Sequence, residues 1–347
     1  MSSITFTYYL TLFYAFTVIV FLQFGNKRIR VADQVFLLLP VIIVYLVLMC
    51  RRGGVDMVNY IYAYEIEPTD IPDLIFQGYY KLLKGLDLPF FISTFIIGLV
   101  NSCTIIFFAR NKVPRYTFLV FVIFFAHLIV VRDFAQMRIS FAFSFFLLAL
   151  MNKKALRFIF IVIAIGIHKS IIVLILVYFF TEFYVRQTQS TKRMLFLLSL
   201  SGGVLLYAGI EYLLFLDPRI EIYLSWDKDG YGNTVSSYGS VLFQILLLLV
   251  YFGVAGFKGW SSNIYLMLTV FGILAFIALS PTAIFAFRLS NLVWSFYPFL
   301  VLDIIERSRS KFIKPVHYTI TMTTIVMLII FIVNRPGSFR IINSIQF

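Results

Sequence analysis

Residues 116–151 read YTFLVFVIFFAHLIVV, then RDFAQMR, then ISFAFSFFLLALM. Two apolar runs of helical length flank a short polar link carrying Arg132, Asp133 and Arg138. Unbroken apolarity on both sides leaves neither helix a polar face for water, so the pair reads as a helical hairpin in a bilayer with its link at the membrane boundary. Ionisable groups cost free energy to desolvate at such a boundary, and in membrane proteins they more often line a site than decorate a surface. The rest of the chain is organised around this link.

Composition extends the reading to all 347 residues. A hydrophobic fraction of 61%, a mean hydropathy of +0.95 and a charged fraction of 13% describe a polytopic membrane protein, since no water-soluble core could absorb so much apolar surface. Cys50 and Cys103 both lie inside apolar runs without ligand-like spacing and read as packing residues. The first apolar run follows only Met-Ser-Ser, with no basic flank or small-residue cleavage site, and is expected to be a retained span.

About 12 segments are apolar enough to be read as spans: Ile4–Phe24, Gln34–Cys50, Pro89–Ala109, Tyr116–Val131, Ile139–Met151, Leu156–Ile167, Ser170–Val185, Met194–Phe215, Ser240–Phe257, Asn263–Ser280, Leu289–Ile305 and Val316–Val333. The fifth and sixth are short for a full crossing. Threading these spans puts seventeen cations and four acids on one side, an excess equal to the whole formal charge of +13, and leaves twelve of each on the other. Basic loops mark the cytoplasmic side, so the charge orients the protein and implies no nucleic-acid partner. Both termini are then external, and residues 1–347 form a single integral membrane domain.

The external side holds the residues with chemistry. Its long segments, 51–88 and 216–239, are rich in tyrosine and are expected to face substrate. In RRGGVDMVNYIYAYEIE, which begins at Arg51, Asp56, Tyr60 and Tyr64 follow at four-residue spacing and share one helix face. A carboxylate beside two phenols makes a sugar-binding strip, and equally an interfacial aromatic belt with a helix-capping Asp. Downstream, DLIFQGYYKLLKGLDLP places Leu74, Ile75, Tyr79, Leu82, Leu83 and Leu86 in the pattern of an amphipathic helix lying along the membrane surface.

Arg138 stands in the first turn of an apolar helix, where its planar fork and the free N–H groups of the helix start suit a phosphate or pyrophosphate. Arg132 shares the link, and snorkelling or pairing with Asp133 is the competing account for both arginines. His168, in IAIGIHKSIIV, sits where the sixth and seventh spans meet and has the proton affinity for acid–base work, although a structural hydrogen bond would also explain it. Arg288 is a lone external cation ahead of a span, against the orientation rule. No His, Cys or carboxylate trio has metal-ligand spacing, and no phosphate-binding glycine loop is present.

Taken in order, Arg52, Asp56, Tyr60 and Tyr64, then Arg138 with Ala142 opening a helix, then His168-Lys169-Ser170, then Arg288-Leu289 heading a late span resemble the EpsG-like branch of the Wzy-type O-antigen and exopolysaccharide polymerases. The resemblance runs from about Arg51 to Pro298. Ile139 stands where family members show glutamine, and Val55 precedes Asp56 where many show Gly-Thr. The resemblance implies an all-α, GT-C-like integral membrane glycosyltransferase bundle in the bacterial inner membrane. It would join repeat units carried on undecaprenyl pyrophosphate by an inverting, metal-independent transfer with no cofactor, alongside a chain-length regulator and a flippase. Arg138 and Arg288, with Arg132, would hold the pyrophosphate, Asp56 or His168 would serve as base, and Arg52, Tyr60, Tyr64 and Lys169 would bind substrate. Glu65, Glu67, Asp70 and Asp73 are rival acids. The alternatives in function are a lipid-linked oligosaccharide flippase or transporter, and an O-antigen ligase.

Overall fold

The computed structural model describes residues 31–50, 57–66, 73–125, 136–209, 236–257, 259–280 and 283–308, together with Leu10, Thr11, Tyr14, Ala15 and Val18. Thirteen α-helices have described ends, and no strand occurs among the described residues. In order they are α1 (Val31–Met49), α2 (Met57–Glu65), α3 (Leu74–Gly85), α4 (Phe90–Lys112), α5 (Thr117–Ile123), α6 (Met137–Met151), α7 (Lys154–Ile167), α8 (Ile171–Val185), α9 (Gln189–Gly209), α10 (Ser236–Ala255), α11 (Ile264–Leu279), α12 (Ala283–Trp294) and α13 (Tyr297–Ser308). They group into two compact units that divide between Ile171 and Ile172.

The described helices follow the expected apolar segments, most with ends shifted by a few residues. The first expected span, apart from five of its residues, and the whole of the last lie outside the described residues. Helix α4, with 23 residues, is the one described helix long and apolar enough to cross a bilayer by itself. At 1.5 Å per residue it measures roughly 34 Å, just over the hydrocarbon thickness. Helices α6, α8 and α11 are apolar but shorter, so their lengths do not by themselves establish the expected number of crossings.

One expected span is broken. The stretch Leu289–Ile305 divides between α12 and α13, whose axes bend by 44°. Pro298, the second residue of α13, has no N–H to return to the preceding turn, and its ring excludes a continuous helix through that turn.

Large apolar side chains lie on the outside as well as in the core, and a few polar ones lie inside. Along α1, Phe36, Leu39, Ile43 and Val47 project outward as one exposed ridge, and Leu197, Leu198, Val204 and Leu205 do so on α9. Inside the first unit, Ser93, Thr94, Asn101, Ser102, Ser140 and Ser144 are fully or almost fully buried. Apolar side chains outside, with Asn101, Ser140 and Ser144 hydrogen-bonded to one another between helices, fit a lipid solvent, which rewards no burial of hydrocarbon and satisfies no polar group.

These buried polar groups fix α6. The Asn101 side-chain amide on α4 donates to the Ser140 hydroxyl at 2.6 Å and the Tyr45 hydroxyl at 3.3 Å, while its carbonyl accepts from the Ser144 hydroxyl at 2.6 Å. One amide thereby ties α1, α4 and α6 together two residues below Arg138. Helices α6 and α7 form a tight hairpin whose turn carries Lys153 and Lys154, and whose open end carries Arg138 and His168.

Candidate active site

Three segments meet at the open end of the α6–α7 hairpin. Arg138 is the second residue of α6, and His168 is the residue that ends α7. The backbone of His168 turns extended, at φ −159° and ψ 114°, which stops the helix and swings the following Lys169 amide outward. The third segment is the start of α3, which packs on α7. Ile75 lies directly on Gly166, where a β-carbon would run into the Ile75 side chain, so the absence of a side chain brings the two helices into contact. That contact delivers Asp73, the residue before α3, to His168.

Asp73 is 2% exposed and is the centre of the cluster. Its Oδ2 accepts from Arg138 Nη1 at 2.6 Å and from His168 Nδ1 at 3.1 Å, and its Oδ1 accepts from the Lys169 backbone N–H at 3.3 Å. Burial by itself would raise the Asp73 pKa. The hydrogen bond and charge of His168, the charge of Arg138 and the Lys169 amide outweigh it and hold the carboxyl below its ordinary value. Asp73 is thus an ionised acceptor with its lone pairs in use, which suits orientation better than proton abstraction.

The Arg138 side chain stays 25% exposed and that of His168 18%, so both keep an edge open from the cluster. Arg138 is also hydrogen-bonded to the Tyr60 hydroxyl, with its Cζ 5.7 Å from the centre of that ring. Its Nε is buried without a hydrogen-bond partner. The Lys169 side chain is exposed beside them. Arg138, Lys169 and Asp73 leave a net positive charge, and the His168 ring beside them completes a site for an anion and for one proton transfer.

The tyrosine strip behaves differently at its two described members. Both Tyr60 and Tyr64 are buried in the first unit, but Tyr64 donates to the Leu88 carbonyl at 2.6 Å and packs edge-on against Tyr80 and Phe90. Its hydroxyl is committed to holding α2 against the turn after α3, whereas that of Tyr60 reaches Arg138. Burial pushes the phenols of Tyr64, Tyr79 and Tyr80 up, so they remain protonated. Helix α3 turns Phe76, Tyr80 and Leu83 inward and leaves Leu74 and Leu82, expected on its apolar face, exposed.

Of the remaining candidates, Arg52, Asp56 and Arg132 lie outside the described residues. Arg288 is half-buried in the middle of α12, within the second unit, where the sequence placed it just ahead of a helix. Asp73 stood in the sequence only as one of several rival acids. Among the described residues no group of three His, Cys, Asp or Glu is placed to hold a metal ion.

A model of the EpsG family matches residues 35–343. The chain belongs to the EpsG family. Membership places it, at the family level, among membrane polymerases of glycosyltransferase type that act in exopolysaccharide production. The matched region contains the whole Asp73–Arg138–His168 cluster of this EpsG-family chain. No curated protein and no solved structure matches the chain.

Proposed function

We propose that the protein polymerises oligosaccharide repeat units carried on undecaprenyl pyrophosphate into exopolysaccharide, capsule or O-antigen. On this reading about twelve helices cross the bacterial inner membrane, both termini are external, and transfer takes place at the external face. The single observation that carries the reading is the pairing of Arg138 with His168 through Asp73 at one end of the α6–α7 hairpin, with Lys153 and Lys154 at the other.

The chemistry needs charge stabilisation on a departing pyrophosphate and a proton acceptor for the incoming sugar hydroxyl. Arg138 and the exposed Lys169 supply positive charge and N–H donors where the leaving group's charge develops. His168 takes the hydroxyl proton. Tyr60 orients Arg138. Arg288 and Arg132 as further phosphate ligands, Arg52 as a sugar ligand and Asp56 as a second base are assigned from sequence. The membrane lipids, a flippase that delivers repeat units and a chain-length regulator complete the set of partners.

The decisive experiment is conversion of purified lipid-linked repeat unit to polymer by the purified chain. Products of two or more repeats with wild-type protein, and none with Arg138→Ala, support the reading. Unextended repeat unit in both cases overturns it. The bend between α12 and α13 is a feature that transporters share. For that reason a deletion strain should also be scored for the leaflet holding its lipid-linked repeat unit. Accumulation on the cytoplasmic leaflet would mean a flippase, and accumulation on the external leaflet a polymerase or ligase.

A further inference from the structure

Asp73 occupies the N-cap of α3, where an aspartate ordinarily turns its carboxylate back onto the first free N–H groups of its own helix. Here it makes no such bond. Both carboxylate oxygens are turned away to His168, Arg138 and the Lys169 amide, across 95, 65 and 96 residues of chain. A buried carboxylate that forgoes its own helix, and is nonetheless held ionised, is maintained for what it does to those partners.

The consequence for His168 follows from valence. An ionised carboxylate can only accept, so the imidazole nitrogen 3.1 Å from it, Nδ1, carries the hydrogen. In the uncharged ring the lone pair is then on Nε2. We infer that Asp73 is the positioning residue of the proposed transfer: it fixes the tautomer and direction of His168, presents Nε2 as the proton acceptor, and through the same oxygen holds Arg138 beside that acceptor. This rests on the polymerase reading.

The step balances without another reactant. The acceptor sugar's hydroxyl oxygen forms a bond to the anomeric carbon of the growing chain as the bond from that carbon to the pyrophosphate oxygen breaks. The bonding pair leaves on the pyrophosphate, and the hydroxyl proton moves to Nε2 of His168. Asp73 remains ionised and faces the imidazolium that forms, so it stabilises charge without taking the proton. Because Arg138 and His168 share Oδ2, the departing anion and the proton acceptor are set against one carboxylate.

The test uses the full chain in the repeat-unit polymerisation assay, with kcat and KM measured for Asp73→Asn, His168→Gln and the double variant. Loss of an oriented general base is worth roughly 10²–10⁴-fold in rate. The inference expects Asp73→Asn to lower kcat by about 10²-fold with KM within about twofold, because the hydroxyl still binds but its acceptor is misdirected. It also expects the double variant to be slowed by much less than the product of the single effects, since the part of Asp73's role that acts through His168 is already lost with His168 and only its hold on Arg138 remains to be removed. A kcat that survives Asp73→Asn overturns the inference, as does a double variant slowed by the product of the single effects. If Asp73→Asn fails to accumulate in membranes, Asp73→Glu replaces it, moving the charge by one methylene. A lowered kcat at unchanged KM then supports the role, and an unchanged kcat overturns it. Wild-type protein that makes no polymer defeats the polymerase reading itself and this inference with it. An active wild type whose Asp73 variants are equally active defeats the inference alone.

Discussion

The guanidinium of Arg138 meets the carboxylate of Asp73 at 2.6 Å, joining the first turn of α6 to the residue that precedes α3. Neither partner is spent by the contact. Asp73 still serves His168 and the Lys169 amide, and Arg138, a quarter exposed, keeps further N–H groups of its fork for a ligand. A guanidinium steadied on one side by an acid and on another by the Tyr60 hydroxyl loses little freedom when an anion arrives, which is what preorganised charge stabilisation requires.

Arg138→Lys separates the charge of this residue from its shape. Lysine retains the positive charge but not the planar fork that can serve Asp73 and a phosphate together. Polymerisation is expected to fall by about 10²-fold, with the protein present in the membrane at near wild-type level. Arg138→Ala should abolish it and leave surface glycan as single repeat units. Gel ladders of surface glycan alongside immunoblots of membrane fractions would check both, and a normal ladder from Arg138→Ala would remove the arginine from the mechanism.

How far the sequence foretold these arrangements depends on the range of the interaction. Apolar runs placed α6, α7, α8 and α11 to within a few residues, because a helix in lipid is set by local hydropathy. The bend at Pro298 was local too, but the apolar run continues through it and hid the break. Four-residue spacing put Tyr60 and Tyr64 on one face without saying that the face turns inward, since direction depends on what packs beside the helix. Asp73 was hardest to single out. Its pairing with Arg138 and His168 depends on α3 docking onto α7, and nothing near Asp73 distinguishes it from Asp70 or Glu67.

Gly166 tests that docking. Any β-carbon there runs into Ile75, so Gly166→Leu should push α3 away from α7 and draw Asp73 off His168. The expected result is loss of polymerisation greater than the loss of folded protein, because the displacement falls at the cluster. Ile75→Ala in the same chain should restore part of the activity by vacating the space. Activity per folded molecule, measured for the single and double variants, decides the matter. No restoration would mean that the contact does not set the cluster's geometry.

Asn101 anchors α6 from below. Replacement by Leu removes both its donations and its acceptance, leaving the Ser140 and Ser144 hydroxyls to find other partners in the helix backbone. Interhelical hydrogen bonds in membranes contribute on average about 0.6 kcal/mol each, so a loss of roughly 1–2 kcal/mol is expected. Thermal unfolding in detergent should show a lower midpoint, and polymerisation should fall with it, since Arg138 sits two residues from Ser140. A destabilised variant with undiminished activity would show that the anchor supports the fold and not the site.

Asp73 makes the stability of the first unit sensitive to strong acid, with a definite sign. Its carboxyl is held below the ordinary value of 3.8 in the folded chain. A group with a depressed folded pKa contributes stability that is fully present above its unfolded pKa and is lost as pH falls through the folded one. The stability difference between wild type and Asp73→Asn should therefore not shrink from neutral pH down to roughly 5, and should shrink as the pH drops through 4 and lower. Parallel unfolding curves across that range in detergent would measure it. A difference that already shrinks between pH 7 and 5 would mean that the carboxyl is not held ionised by Arg138 and His168, and the orienting role given to it would go too.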